Sequence, residues 1–354
     1  MEQSSPSKKI KILFLTRWYP NKTNIQLAVF IQKHAAAVAR FCDVSVLNVT
    51  AVSEQKDTYE IVQTGQRGFV EVIVYYRAIK KFFSPLDRVL NLLRYLIAHN
   101  KGMNLIRNKF GKQDITHAYI FIRPAVMAWW MKIMNGIPYV ISEQWSGYAT
   151  GKFEKRSFID KAITRFAARK AETITTVSDF LKTRMRQNKI EGNYHVIPNV
   201  IESNLVISNE KKDTVIKILT VADLVDEIKN ISGTIKAIAE IVKSQPLIKF
   251  DIVGGGHDRE KLEMLAKDLS VLNKNIFFHG MKTNEQVYEY LKECDFLIMN
   301  SRFETFSSIC AEAMSCGKPV IATRCGGPEE FVIPETGMLI SPDTPAELIA
   351  AIKN

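Results

Sequence analysis

Two glutamates, Glu304 and Glu312, stand eight positions apart and are the first residues whose types and spacing suit chemistry. Glu304 follows the apolar run FLIMNS, Glu312 lies within SSICAEAMSC, and the pair Gly326-Gly327 comes after both. Carboxylates at this interval suit a metal centre, a general acid–base pair, or a cradle for a polyhydroxylated, phosphorylated ligand. The spacing alone also fits two ordinary surface acids, so the choice depends on the elements that position them.

The elements around the two acids favour the cradle. FLIMNS predicts a buried strand, so Glu304 lies at a carboxyl-terminal strand edge, where parallel sheets bind their ligands. A helix is expected to begin near Thr305 or Ser307, and unpaired backbone N–H groups at a helix start bind anions such as a diphosphate. Glu312, on that helix, is suited to accept two hydrogen bonds from vicinal hydroxyls such as those of a ribose.

A second glycine-rich segment, DIVGGGHDRE, follows a predicted strand and precedes a predicted helix. A dinucleotide-binding fingerprint would need glycine where Arg259 stands, so the segment is interpreted as a tight strand-to-helix turn. Five cysteines without CxxC spacing argue against a zinc site and against a disulfide framework. We therefore expect neither a metal nor a cofactor.

Charge is distributed unevenly along the 354 residues. Residues 1–205 carry 31 Lys and Arg against 15 Asp and Glu, whereas residues 206–354 carry 17 against 22. A basic first half indicates either an anionic partner or a solvated basic surface. Nucleic acid is not expected as that partner, because no recognised nucleic-acid motif accompanies the charge. The polar start MEQSSPSKK and the lack of a long apolar stretch predict a cytoplasmic protein.

Strands and helices alternate along the chain in two series. The first series runs from KIKILFLT to YHVIPN and the second from IKILTVADL to PVIAT, and the polar segment between them predicts a linker over 201–214. Continuous apolar runs are typical of strands buried on both faces of a parallel sheet. The predicted fold is α/β, with two Rossmann-like, doubly wound domains, 1–200 and 215–354, that face each other across a cleft.

The segment SRFETFSSICAEAMSCGKPVIATRCGGPEEF resembles the signature of the glycosyltransferase group 1 proteins, retaining GT-B enzymes of the family 4 type. The family pattern is S-x-x-E-x-F-x-x-x-x-x-E-A-M-x-x-G-x-P-V followed by G-G-x-x-E and T-G, and nearly every fixed position matches. The segments KILFLTRWYP, VSDFLKTRM, HVIPNVIE and FDIVGGGHDREKLEMLA are also similar to family segments. The resemblance therefore covers almost the whole chain.

The resemblance implies a donor site in the second domain and gives its residues roles. Glu312 would hold the ribose hydroxyls, and Glu304 would hydrogen-bond hydroxyls of the transferred sugar. Lys229 would neutralise the leaving diphosphate, so Lys229 and Glu304 are the candidate catalytic residues. The other donor contacts expected are backbone groups of Thr305, Phe306, Ser307 and Met281.

The chain departs from the family pattern at a few positions. Asp223 stands where relatives commonly carry Arg, and Ala28 stands where many carry Gly. Glu143 and Gln144 occupy the segment where many relatives have a His, so they are candidate substrate contacts without a proton-shuttle role. Relatives usually continue beyond PAELIAAIKN with helices that cross back to the first domain, and the final crossover helix is expected to be missing here.

The function implied is transfer of a sugar from a UDP- or GDP-linked donor, which is a substrate, to a glycan or polyprenyl-linked acceptor in cell-surface polysaccharide synthesis. A catalytically silent sugar-nucleotide binding module and a nucleotide-sugar epimerase of the same fold are the alternatives. The basic, aromatic segment Tyr75–Lys112, which includes Phe82 and Phe83, predicts one of two roles. It is either a peripheral contact with anionic lipid at the inner face of the cell membrane or a core helix with a solvated basic face.

Overall fold

The computed structural model describes residues 9–65, 68–79, 85–201 and 214–354. Contacts within the chain divide it into unit 1, Met1–Thr176 with Lys182–Val200, and unit 2, Val177–Leu181 with Ile201–Asn354. Most of the linker predicted over 201–214 lies outside the described residues, as do Phe82 and Phe83.

Unit 1 is built on a sheet of eight strands. They are β1 (Lys11–Thr16), β2 (Asp43–Val52), β3 (Tyr59–Thr64), β4 (Val70–Arg77), β5 (Ile115–Tyr119), β6 (Tyr139–Glu143), β7 (Thr173–Thr176) and β8 (Tyr194–Val196). The order in the sheet is β3-β4-β2-β1-β5-β6-β7-β8, and only the pairing of β3 with β4 is antiparallel among these strands. Because the strand order reverses between β1 and β5, the sheet is doubly wound around that point.

The central strand of unit 1, β1, is apolar between its end residues, and its Leu13, Phe14 and Leu15 are buried. Such a run is expected where helices cover both faces of a parallel sheet. The helices of this part of the chain are α1 (Val29–Ala39), α2 (Pro85–Phe110), α3 (Val126–Asn135), α4 (Phe158–Lys170) and α5 (Asp179–Gln187).

Unit 2 is built on six parallel strands. They are β9 (Ile216–Val221), β10 (Ile248–Val253), β11 (Ile276–Gly280), β12 (Phe296–Met299), β13 (Val320–Thr323) and β14 (Gly337–Ile340). The helices are α6 (Asp226–Lys229), α7 (Ile231–Ile241), α8 (Arg259–Asp268), α9 (Asn284–Glu293), α10 (Ser308–Ser315) and α11 (Pro345–Lys353). The strand order is β11-β10-β9-β12-β13-β14, which reverses between β9 and β12. The predicted architecture of two Rossmann-like α/β sheets is confirmed.

The core of unit 2 lies on both faces of its sheet. Ile218 packs in a cluster with residues of α7 and α8, and its neighbour Leu219 packs in a second cluster with residues of α9 and α10. This division follows from the alternation of side chains along a strand. With both faces covered by helices, the carboxyl ends of β9 and β12 are left at the edge where such sheets bind ligands.

Candidate functional site

The reversal of strand order in unit 2 brings together the loops that follow β9, β12 and β13. The loop after β9 leads into α6, which carries Lys229, and the loop after β12 carries Glu304. The loop after β13 carries Gly326 and Gly327, and a β-bridge joins Glu304 to Gly326. The residues that the resemblance assigned to one site therefore lie at one edge of the sheet.

The ammonium of Lys229 and the carboxylate of Glu304 form an ion pair. Lys229 Nζ lies 2.5 Å from Glu304 Oε1, and the Ser301 hydroxyl donates to the same oxygen at 2.9 Å. Burial lowers the pKa of Lys229, but the charge and hydrogen bond of Glu304, with the charge of Asp223, outweigh it and the pKa is raised. Lys229 is therefore a fixed cation at neutral pH.

Arg302 holds the short helix that carries Lys229. Its guanidinium donates to the carbonyl oxygens of Asp226 and Glu227 at 2.9 and 3.0 Å and to Asn230 Oδ1 at 3.1 Å. Its backbone N–H donates to the Ile228 carbonyl at 2.7 Å. Asp343 in turn accepts from the Arg302 side chain at 2.8 Å. A four-residue helix has little intrinsic stability, so these contacts fix the position of Lys229.

Gly326 and Gly327 lie directly against the backbone that carries Glu304. A Cβ atom on Gly327 would lie 2.4 Å from the carbonyl oxygen of Thr305, and one on Gly326 would lie 2.7 Å from that of Glu304. Gly326 also has a φ of 122°, a conformation that side-chain-bearing residues rarely adopt. The glycine pair is thus required by close packing of the two loops.

The start of α10 lies between the two acids. Ser307, at its N-cap, is in the left-handed region with a φ of 69°, and its hydroxyl contacts Cys310 Sγ instead of capping the helix. In this described stretch the backbone N–H groups of Phe306 and Ser307 donate to no other backbone group. Such groups, with the helix dipole, favour an anion. Glu312 lies one turn into α10 and is 7% exposed.

The GGG turn after β10 supports the loop that leads to Lys229. A Cβ on Gly254 would lie 1.9 Å from the Ala222 carbonyl oxygen, so the two loops are in backbone contact. Met281, which follows β11, lies against Gly255 and is 57% exposed. The interpretation of this segment as a tight turn agrees with the packing.

The structure places Glu143 and Gln144 in unit 1, at the end of β6. Glu143 is fully buried, and its carboxylate accepts hydrogen bonds from the backbone N–H groups of Gln144, Trp145 and Phe121 and from the Tyr148 hydroxyl. Burial raises its pKa, and the backbone donors oppose that shift. Glu143 thus orders its own loop. The side-chain amide of its neighbour Gln144 donates to Asn199 Oδ1 at 2.8 Å.

The comparison with protein families agrees with this geometry. The model for glycosyl transferases group 1 matches residues 202–354, and the model for Glycosyltransferase Family 4 matches residues 28–205. The chain belongs to the group 1 glycosyltransferases. The resemblance seen in the sequence is thereby confirmed, and the protein is a glycosyltransferase.

Relatives and solved structures of this family extend along most of the chain. An uncharacterized glycosyltransferase of Methanocaldococcus jannaschii is 25% identical over 96% of this chain and 86% of its own length. A lipopolysaccharide core biosynthesis glycosyltransferase of Rhizobium meliloti is 33% identical over 32% of this chain and 31% of its own length. The structure of Anabaena HepE in complex with UDP-glucose aligns with a TM-score of 0.67 at 18% identity, over 97% of this chain and 89% of that one. The group 1 glycosyltransferase fold here is GT-B.

Two residues of the site were given no role from the sequence, although Ser301 is the first fixed position of the family pattern. Ser301 and Arg302 act by hydrogen bonds to Glu304 and to the α6 backbone, contacts that only the tertiary structure defines. In the described ranges no group of three or more His, Cys, Asp and Glu side chains is arranged to hold a metal. No helix in those ranges is both long and apolar enough to cross a membrane.

Proposed function

We propose that this glycosyltransferase moves a sugar from a UDP- or GDP-linked donor, with retention at the anomeric carbon, to a glycan or lipid-linked acceptor of a cell-surface polysaccharide. The observation that carries the proposal is the Lys229–Glu304 pair beside the start of α10. A cation, a hydroxyl acceptor and free backbone donors are the groups that a sugar diphosphate needs. The lipopolysaccharide role named for the Rhizobium meliloti relative supports the acceptor class.

The proposed chemistry assigns a separate task to each group. As the glycosidic bond of the donor breaks, negative charge develops on the leaving diphosphate, and a preorganised ammonium such as Lys229 stabilises it. The leaving phosphate can accept the proton of the incoming hydroxyl on the same face of the sugar. Glu304 accepts hydrogen bonds from sugar hydroxyls, and Glu312 accepts those of the ribose. No metal is required for these steps.

The test is turnover with a panel of UDP- and GDP-sugars, measured as donor hydrolysis and as transfer to glycan acceptors. Lys229→Gln should lower kcat at least 100-fold, because it removes the charge that stabilises the leaving group. Lys236→Gln, at an exposed position of α7, is the control with the same charge change. Nucleotide binding without turnover by the wild type would support the silent module instead. Release of an epimerised sugar nucleotide would support the epimerase.

We also propose that an exposed apolar surface of unit 1 contacts an anionic membrane. Helices α2 and α3 border a cavity of about 820 Å³. The ring centres of Trp129 on α3 and Phe166 on α4 are 5.2 Å apart, so α3 also contacts α4. The surface, which we call the α2–α4 face, exposes Leu86, Val89, Leu92, Leu93, Leu96, Ile97, Trp130, Ile133, Met134, Phe158, Ile159, Ile163 and Phe166. Apolar groups beside Arg and Lys on α2 and α4 suit the headgroup region of an anionic bilayer.

Vesicle flotation tests that contact at the inner face of the cell membrane. The protein should bind vesicles that contain phosphatidylglycerol and not vesicles of phosphatidylcholine alone. Leu93→Gln should weaken the binding, whereas Met264→Gln, at an exposed apolar position of α8 in unit 2, should leave it unchanged. Equal effects of the two substitutions would contradict a specific role for the α2–α4 face.

A further inference from the structure

Three arginines lie at the carboxyl edge of the sheet in unit 1. Arg17 directly follows β1, Arg123 comes four residues after the end of β5, and Arg156 is in the segment between β6 and α4. Because β1, β5 and β6 are adjacent and parallel, their carboxyl ends lie at one edge, and the strand order reverses between β1 and β5. This is the point at which doubly wound sheets bind ligands.

The positive charges of Arg123 and Arg156 act on Arg17. Burial lowers the pKa of the Arg17 guanidinium, and the charges of Arg123 and Arg156 lower it further. Within the described residues none of the three guanidinium groups donates a hydrogen bond or forms an ion pair. An arginine offers five donors, so the cluster holds many donors without a protein partner; Arg17 and Arg156 are half-buried and Arg123 is exposed.

Aromatic rings lie beside all three guanidinium groups, and that of Arg17 is 5.5 Å from the ring centre of Trp18. The guanidinium of Arg123 lies 4.9 Å from the ring centre of Tyr95, and that of Arg156 lies 4.1 Å from the ring centre of Trp145. Stacking on a ring face fixes the plane of a guanidinium but leaves its N–H groups at the edges available. The cluster is therefore ordered without being neutralised.

Glu143, the carboxylate that acts electrostatically on Arg17, does not neutralise the three arginines. The charge of Glu143 opposes the lowering of the Arg17 pKa, but the two oxygens of Glu143 already accept four hydrogen bonds from its own loop and from Phe121. Burial raises the pKa of Glu143 and so disfavours its charged form. The balance of charge at this edge is positive.

The backbone between β5 and α3 is strained at the same place. Ile120 and Arg123 have φ values of 75° and 76°, which side-chain-bearing residues seldom adopt. Strain of this kind costs of order 1–3 kcal/mol at each residue and concentrates at binding sites. Here it occurs in the turn that carries Arg123.

We infer that Arg17, Arg123 and Arg156 form an oxyanion site in unit 1 that binds a phosphate group of the acceptor. Three guanidinium groups carried by neighbouring strand ends suit a phosphate monoester or diester, whose oxygens accept paired hydrogen bonds from the Arg fork. The inference rests on the proposed function only in calling the ligand an acceptor. It narrows that acceptor to a phosphorylated molecule, either a phosphosugar or a phospholipid headgroup.

Calorimetric titration of the full chain tests the site. Wild type should bind glucose 6-phosphate at least 10-fold more tightly than glucose, both alone and with saturating UDP or GDP. Arg17→Gln and Arg123→Gln should each weaken that binding about 10-fold. Arg40→Gln, at the opposite edge of the sheet between α1 and β2, should not. Equal losses in all three variants would overturn the inference, because they would show a general effect of positive charge.

Vesicles distinguish the two sources of phosphate. If the natural ligand is a lipid headgroup, vesicles with phosphatidic acid should compete with glucose 6-phosphate for wild type, and phosphatidylcholine vesicles should not. If it is a phosphosugar, neither should compete. Phosphatidic acid vesicles that bind wild type and Arg17→Gln equally, with no competition by glucose 6-phosphate, would place the lipid elsewhere.

Thermal unfolding adds a readout that a merely structural role would not give. Because the three charges repel, Arg17→Gln should leave Tm unchanged or raise it, and wild type should gain Tm with glucose 6-phosphate. A fall in Tm would indicate that Arg17 stabilises the fold and would overturn the inference. Nucleotide binding to unit 2 is measured separately in the same samples. If wild type bound no nucleotide, the proposed function would be contradicted, but the oxyanion site in unit 1 would not be.

Discussion

At the scale of the residue, the Lys229–Glu304 pair explains how a lysine stays charged while largely buried. An unpaired ammonium in that position would lose its proton more readily, because burial disfavours the charged form. The carboxylate of Glu304 opposes this loss of the proton, and it also accepts a hydrogen bond from the Ser301 hydroxyl. A bound diphosphate would offer the ammonium a second anionic partner, so the pair is suited to a role in which Lys229 must be a cation before the reaction begins.

The two acids should differ in which kinetic constant they control. Glu304→Gln should lower kcat about 100-fold, since the substitution disturbs the partner of Lys229 and a contact with the transferred sugar. Steady-state kinetics with the best donor from the panel measures this. Glu335→Gln, at an exposed position of unit 2, is the control for loss of one negative charge. An unchanged kcat in Glu304→Gln would remove Glu304 from the site.

Glu312→Gln should instead raise the donor KM about 10-fold with kcat little changed. The ribose contact is expected to have similar strength in the ground state and the transition state, so its loss weakens binding uniformly. Titration with UDP and GDP should show the same weakening. A drop in kcat with unchanged nucleotide affinity would assign Glu312 to the reacting sugar instead.

At the scale of the element, strands could be predicted from the sequence where their segments are strongly apolar. Short or partly exposed strands could not. KILFLT and IKFDIV, which are buried on both faces, were predicted as strands and form β1 and β10. The edge strand β3 was missed, because its sequence YEIVQT has no fully buried residue and pairs through backbone groups that any sequence provides. β14 was missed because four residues give too short a pattern.

The site could be predicted only where residue types form a motif. Glu304, Glu312 and the glycine pair belong to such a motif, and the structure places Glu304 and the glycines in one packed edge. Arg302 was not identified, because its role depends on backbone carbonyl oxygens of α6 that lie over 70 positions earlier in the chain. No spacing in the sequence reveals such a contact.

Arg302→Lys should lower kcat about 10-fold, although the positive charge is retained. A lysine ammonium cannot reach the carbonyl oxygens of Asp226 and Glu227 and the Asn230 side chain together, so Lys229 should lose its fixed position. Arg324→Lys, at an exposed position after β13, is the control. If donor KM changed and kcat did not, Arg302 would act in binding and not in positioning Lys229.

Gly327→Ala should disrupt the loop that carries Glu304. The added Cβ would lie 2.4 Å from the Thr305 carbonyl oxygen and 2.5 Å from the Phe306 Cα, so backbone must move. Affinity for UDP or GDP should fall about 10-fold or more. Gly65→Ala, where a Cβ meets nothing within 4 Å, should leave both affinity and Tm unchanged. Wild-type affinity in Gly327→Ala would show that the loops adjust without cost.

At the scale of the whole molecule, the two units differ in charge and in chemistry. The basic excess lies in the part of the chain that forms most of unit 1, together with the arginine cluster and the α2–α4 face. The acids and Lys229 of the donor site lie in unit 2. Unit 1 also contains three histidines whose burial lowers their pKa, to about 4 for His34 and His99 and to about 3 for His117.

Unit 1 should therefore lose stability as the pH falls below about 6.5. Between the ordinary histidine pKa and these lowered values the unfolded chain binds more protons than the folded one, so acidification favours unfolding. For His99, which is 4% exposed, the contribution lost between pH 7 and pH 5 is about 2 kcal/mol. Urea unfolding followed by tryptophan fluorescence measures unit 1 alone, because Trp18, Trp129, Trp130 and Trp145 all lie in it.

His99→Leu should reduce the difference in unfolding free energy between pH 7 and pH 5 by about 2 kcal/mol, since leucine does not titrate. The Nε2 atom of His99 has no hydrogen-bond partner among the described residues, so the substitution should cost little at pH 7. His195→Leu, at an exposed position of β8, should leave the pH dependence unchanged. If His99→Leu kept the full wild-type loss on acidification, the acid sensitivity of unit 1 would have to come from groups other than this buried imidazole.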